Sequence, residues 1–133
     1  MTDRVVARAW TDHLHAAWSA ADPSAMADLF TDDVAYRTSP FESPFIGRDA
    51  VVAHWEGELR DVTRVEAILS DPIVDGDRVV VEWWSVVSRG DEATTDAGVL
   101  ILEFEGNRCA SLTEYWMLRD GRLQSDRLGR QVA

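Results

Sequence analysis

The apolar spacing of this chain changes period once, after about residue 60, and that change limits the folds open to it. Before it, Val6, Trp10, Leu14, Ala17, Trp18 and Ala21 recur at the i, i+4, i+7/8 spacing of an amphipathic helix. Asp22-Pro23 ends that helix and opens a second, whose inner face is Met26, Leu29 and Phe30, because Asp caps and Pro suits a first helical turn. Asp32-Asp33 reads as a turn, Val34 to Thr38 as a short strand, and Ser39 to Ile46, with Pro40 and Pro44, as a loop. Gly47 introduces a third helix over residues 48–60, with Val51, Val52, Trp55 and Leu59 inward.

After the change the pattern is β. Arg64 to Ser70, Ile73-Val74, Val79 to Ser88, Thr94 to Glu105 and Arg108 to Leu118 are separated by Asp71-Pro72, Asp75-Gly76, Arg89 to Glu92 and Gly106-Asn107. After Asp120-Gly121 the chain is polar and is expected to fray. Helices followed by a meander predict an α+β fold, a curved antiparallel sheet wrapped around three N-terminal helices that encloses a pocket. With no repeat or linker, residues 1–133 read as one domain with an ordered core over about 4–122.

A net charge of −11 on 133 residues excludes nucleic acid as a partner, since phosphates demand a basic surface, and disfavours an anionic membrane face. Cys109 is the one cysteine, so neither an internal disulfide nor a cysteine zinc cluster is expected. No apolar run approaches the roughly 20 residues that span a bilayer. The N-terminus is amphipathic and unlike a signal peptide, so a cytoplasmic location is expected.

If the hairpins centre near residues 90–91 and 106–107, Glu82, Val99 and Glu114 share one cross-strand row, and Trp84, Ala97 and Trp116 the next row of the same face. The opposite face carries Trp83, Ser85, Gly98, Ser111, Thr113 and Tyr115 without a glutamate, and is expected to lie under the helices. Its small residues predict a hollow there. The first face is too apolar for water, so a homodimer through the sheet face with Trp84 and Trp116 is expected. Glu82 and Glu114 then lie on the dimer side, where a glycosidase-like carboxylate pair is discounted.

The order of elements, with Asp22-Pro23, Asp32-Asp33-Val34, the segment Phe45-Ile46-Gly47-Arg48-Asp49-Ala50-Val51 and the strand Arg108 to Trp116, resembles the nuclear-transport-factor-2-like superfamily. Its SnoaL-like branch, similar to polyketide cyclases and ketosteroid isomerases, is the nearest pattern over roughly residues 5–120. The resemblance implies a cone with an apolar cavity, dimerisation through the sheet, and no cofactor. It does not carry over the isomerase chemistry, for the base position falls at Thr38 and the two donor positions at Leu14 and Leu100. The acidic position of the cyclases falls at Met117.

The expected function is therefore a SnoaL-like pocket for a small apolar or aromatic molecule, as a cofactor-independent isomerase, cyclase or dehydratase. The alternative is a non-catalytic dimeric module with a filled cavity. Candidate catalytic residues are His54, a general base on the third helix, Tyr36 and Tyr115, which offer hydroxyls, and Asp96, a rim carboxylate. Candidate ligand-binding residues are Trp10, His13, Trp18, Trp55 and Trp83, with Ser85, Ser111 and Thr113 in the hollow. His13 and His15 are two apart on one helix and point different ways, so no metal site is expected.

Overall fold

A computed structural model of the chain describes residues 2–128. Helix α1 (Arg4–Ser19) starts where the Asp3 carboxylate accepts from the Val6 backbone N–H at 2.8 Å, and it buries Ala7, Trp10, Leu14, Ala17 and Trp18. Asp22 and Pro23 open the second helix as expected, but Pro23–Leu29 winds as a 3-10 helix that buries Met26 and Leu29. Helix α2 spans Arg48–Glu58.

The strands are β1 (Phe30–Arg37), β2 (Phe45–Ile46), β3 (Arg64–Leu69), β4 (Ile73–Asp75), β5 (Arg78–Arg89), β6 (Glu92–Glu105) and β7 (Arg108–Asp120). They form one curved sheet in the order β2-β1-β7-β6-β5-β3, with β4 paired to β5. The sheet is mixed, not purely antiparallel, because β1 runs parallel to β7. Asp32 and Asp33 belong to β1 and make no turn. The three helices cover the concave face, where Val79, Val81 and Trp83 of β5 meet Leu100, Leu102 and Leu112. Among the described residues, no helix is long and apolar enough to cross a membrane.

The β5–β6 hairpin has the expected register, with Glu82 opposite Val99 and Trp84 opposite Ala97. The β6–β7 hairpin does not. Glu103 pairs with Ser111 but Phe104 pairs with Cys109, so Ala110 is an extra residue, a β-bulge. One added residue exchanges the two faces of everything beyond it. Val99 therefore stands opposite Tyr115, Leu100 opposite Glu114, and Gly98 opposite Trp116. Glu114, Trp116 and Leu118 turn to the concave side, while Ser111, Thr113, Tyr115 and Met117 turn outward. Trp84 and Trp116 are consequently on opposite faces and cannot form one dimer patch.

The C-terminal stretch does not fray before residue 128. The Thr95 hydroxyl donates to Gly121 O, the Trp84 indole N–H donates to Leu123 O at 2.9 Å, and Arg127 pairs with Glu82. Arg122 reaches Glu66 at 2.5 Å, and Leu128 is buried. This segment lies across the outer face and covers part of the apolar surface that a second subunit was expected to cover.

Gly98 was expected to help make a hollow, and instead it admits an aromatic ring. A Cβ at this position would stand 2.5 Å from Trp83 Cη2 and collide with the carbonyl oxygen of Tyr115. The indole thus occupies the space that the missing side chain leaves. Gly98→Ala is expected to destabilise the fold by about 3 kcal/mol, the upper end of overpacking costs, in urea denaturation. A loss below 0.5 kcal/mol, roughly the surface-substitution range, would show that Trp83 has free room to move.

Candidate functional site

Between the helices and the concave face lies a cavity of about 390 Å³. Its apolar walls are Trp10, Leu14 and Trp18 of α1, Trp55 of α2 and Trp83 of β5. Trp18 is edge-on to both Trp55 and Trp83, with ring centroids 6.1 and 6.4 Å apart. The Trp83 indole N–H is buried and has no hydrogen-bond partner among the described residues.

Polar groups enter at two places. In the first, β1 supplies Tyr36, almost wholly buried, whose hydroxyl donates to Glu114 Oε1 on β7. Glu114 is half-buried on the cavity wall, and the burial of its carboxyl pushes its pKa up to about 8. Near neutral pH it is mainly a neutral acid, which can accept from Tyr36 through one oxygen and donate from the other. His54 of α2 stands on the other side of Tyr36, with ring centroids 5.8 Å apart, and stacks on Phe45 at 4.7 Å. Burial lowers its pKa from the ordinary histidine value, with Glu58 one turn further along α2 opposing the shift, so the imidazole is neutral at pH 7.

The second place is Asp96 on β6, which accepts from the Ser85 hydroxyl of β5. Burial raises its pKa, the Ser85 hydrogen bond opposes that shift, and the nearby Glu58 charge adds to it. Glu58, Arg89 and Thr94 line the same end of the cavity. The Arg89 guanidinium donates to the backbone carbonyl of Glu58 at 2.8 Å.

Of the residues singled out from sequence, Trp10, Trp18, Trp55, Trp83, Tyr36, His54 and Asp96 are on the cavity wall. Ser85 is fully buried behind Asp96. Four are elsewhere. His13 is on the exposed side of α1, with its Nε2 2.7 Å from Ala25 O. Tyr115, Ser111 and Thr113 are turned outward by the bulge. Cys109 is buried, and burial pushes its thiol up to about 12, so it is an inert core residue. Among the described residues, no group of three or more His, Cys, Asp or Glu is placed to hold a metal ion.

Sequence reasoning placed Glu114 on the wrong face and overlooked Glu58. The segment Arg108 to Leu112 holds neither glycine nor proline, so the first had no local mark. Thr38, Leu14 and Leu100, the positions that correspond by resemblance to isomerase chemistry, all line the cavity.

This is the cone-shaped α+β architecture of a pocket-bearing domain. Residues 10–112 match the model of the SnoaL-like domain family, and the chain belongs to that family, within the nuclear-transport-factor-2-like superfamily. No curated protein sequence matches it. Among solved structures, it is similar to a hypothetical protein of ketosteroid isomerase-like fold from Catenulispora acidiphila in complex with trimethylamine, at 18% identity and TM-score 0.70 over 80% of this chain and 83% of that one. An LEH-like epoxide hydrolase of Mycobacterium tuberculosis is similar at 16% identity and TM-score 0.71, over 85% and 84% of the two chains. A computationally designed 17-OHP binder is similar at 20% identity and TM-score 0.71, over 86% and 96%. Likeness at these identities establishes the fold.

The raised pKa of Glu114 has a consequence for stability. The folded state holds the Glu114 proton up to about pH 8, whereas an unfolded glutamate releases it near 4.5. The native state therefore binds more protons between those values, and this contribution to stability is full below about 4.5 and is lost as pH rises through about 8. In Glu114→Gln that part of the decline is expected to vanish. Equal slopes for variant and parent in pH-resolved denaturation would place the carboxylate in water.

Proposed function

We propose that the chain is a cytoplasmic protein that binds a small apolar or aromatic molecule in this cavity and moves a proton on it without a cofactor, as an isomerase, cyclase or dehydratase does. The observation that carries the reading is Glu114, a half-buried acid on the cavity wall held by the Tyr36 hydroxyl. A neutral carboxyl that donates a hydrogen bond stabilises an enolate oxygen in a water-poor site. His54, neutral and on the other flank of Tyr36, is the proton acceptor. Environments that push an acid up and a base down are what acid–base chemistry near pH 7 requires.

The resemblance supports this in an altered form. The second donor of the isomerases corresponds to Leu100, and Glu114 is the cross-strand neighbour of Leu100. Their tyrosine donor corresponds to Leu14 on α1, while here Tyr36 enters from β1. Here a tyrosine and a carboxylic acid meet in series: Tyr36 gives its one O–H to Glu114, and Glu114 is the donor to the ligand. The neighbours that hold trimethylamine or bind 17-OHP support a small-molecule reading of the cone. A non-catalytic module with a filled cavity is disfavoured by the open volume of about 390 Å³.

Catalysis can be tested without the natural substrate by following exchange of α-hydrogens for deuterium in cyclic enones and aryl ketones by proton NMR. The parent protein is expected to accelerate exchange. Glu114→Gln is expected to slow it by about 10²–10³-fold and His54→Ala by about 10²-fold. Rates untouched by both substitutions would remove the proton-transfer assignment, and binding without exchange would leave a carrier or sensor.

Pairing of two copies through the sheet belongs to the same proposal, relocated by the bulge. Tyr115 and Met117 are the exposed, outward apolar residues of β7, whereas Trp84 is engaged by the chain's own Leu123. Met117→Asp is expected to yield monomers in sedimentation equilibrium, and an unchanged dimer would exclude that face.

A further inference from the structure

Tyr36 has one O–H and gives it to Glu114, so it cannot also donate to a ligand. Glu114 then offers a ligand oxygen a single hydrogen bond, and His54 is engaged with the proton it removes. An enolate oxygen has room for more than one donor, and each donor aimed at it lowers the barrier to its formation. The remaining hydroxyl at this end of the cavity is that of Thr38.

Three features place Thr38 beside Glu114. It follows Tyr36 by two residues and lines the same cavity, half-buried, just past the end of β1. β1 runs parallel to β7 with Arg37 opposite Thr113, so Thr38 stands one step on, level with Glu114. Trp116, two residues beyond Glu114 and also on the cavity wall, donates its indole N–H to the Thr38 backbone carbonyl at 2.7 Å, which ties the end of β1 to β7 there. Neighbouring strands are about 4.8 Å apart, and one oxygen atom accepting two O–H···O bonds of about 2.8 Å bridges that gap. The Thr38 hydroxyl has no hydrogen-bond partner among the described residues. Its backbone is held and its side-chain donor is unused.

We propose that the Thr38 hydroxyl donates the second hydrogen bond to the ligand oxygen that Glu114 binds, and that this oxygen is the carbonyl of a ketone with a hydrogen on its α-carbon. This deepens the proton-transfer reading and rests on it. As His54 takes the α-proton, the C–H electron pair becomes the C=C bond of the enolate and the carbonyl π pair moves to oxygen. Both hydrogen bonds strengthen on that charge. In heavy water His54 exchanges the proton for a deuteron and returns it to the α-carbon. A carbonyl oxygen has two lone pairs and suits two donors, whereas an amine nitrogen has one and leaves Thr38 or Glu114 unpaired.

The test uses 1-indanone, an aryl ketone, and indane, which has the same ring frame without the oxygen, with the full chain at pH 7. Exchange at the α-carbon of 1-indanone is followed by proton NMR, and binding of both compounds by two-dimensional NMR titration. Thr38→Val removes the hydroxyl at nearly constant shape and leaves the Trp116 hydrogen bond, which is to the backbone. It is expected to slow exchange at saturating ketone by about 10-fold to 10²-fold. Thr38→Ser keeps the hydroxyl and is expected to stay within threefold of the parent. A loss below threefold in Thr38→Val overturns the proposal, and so does Thr38→Ser as slow as Thr38→Val, which would show a packing role. If the parent catalyses no exchange, the proton-transfer reading fails and the titrations decide for Thr38. The parent is then expected to bind 1-indanone at least tenfold more tightly than indane, and Thr38→Val to cut that ratio at least threefold. A ratio near one in the parent, or unchanged in the variant, overturns the proposal, and binding of neither compound overturns both readings. If Thr38→Val does not fold, Thr38→Ala takes its place with the same outcomes.

Discussion

One extra residue, Ala110, decides which side chains of β7 line the cavity. The extra residue in β7 rotates the strand by half a period, so Glu114 enters the cavity and Tyr115 leaves it. An ionised carboxylate in that position would be costly to desolvate, and the structure avoids the cost in two ways. The group is mainly neutral near pH 7, and the Tyr36 hydroxyl satisfies one of its oxygens. Tyr36 is itself fixed because β1 runs parallel to β7 and pairs Tyr36 with Leu112, two residues from Glu114. The bulge and the parallel pairing are thus one device, which brings the hydroxyl and the carboxyl to the same level of the cone.

The cavity runs along the three long strands. Thr94, Leu118 and Arg89, which lie near the ends of β6, β7 and β5, line one end of it, and Tyr36 and Glu114 line another part of the wall. Small side chains do not make the hollow. Gly98 is filled by the Trp83 ring, Ser85 is packed behind Asp96, and Ser111 and Thr113 face outward.

Most of the fold was legible because it depends on local patterns. The first helix, the Asp22-Pro23 start and the hairpin at residues 90–91 follow from apolar spacing, capping with fixed proline geometry, and alternation, all of which are written in neighbouring residues. The parts that were missed depend on contacts between distant segments. A β-bulge is favoured by how a strand must bend over the core, and the chain near Ala110 carries no glycine to mark it. The β1–β7 pairing joins residues more than 70 apart, beyond any local signal. The segment after Gly121 is polar in sequence yet docks through Arg127 to Glu82 and Leu123 to Trp84, contacts that alternation cannot foresee. The part of the aromatic wall on α1, α2 and β5 survived these errors because all three precede the bulge, whereas Trp116 of β7, read onto the outer face, lines the cavity.

The same dependence explains why the two polar ends of the cavity differ in character. Asp96 is on β6, before the bulge, so its inward position follows from simple alternation with Trp83 and Ser85 across the hairpin. Glu114 is on the far side of the bulge, and its inward position has a structural cost that alternation would have avoided. A fold that only needed a packed core would put Tyr115 inside at that level and leave the glutamate in water, since an aromatic ring buries more apolar area than a carboxyl at no desolvation cost. The chain does the reverse, and it supports the carboxyl with its most deeply buried tyrosine. Placement of a polar group against the packing preference, with a hydrogen-bond partner supplied, supports the proposed site over a reading of Glu114 as a core residue.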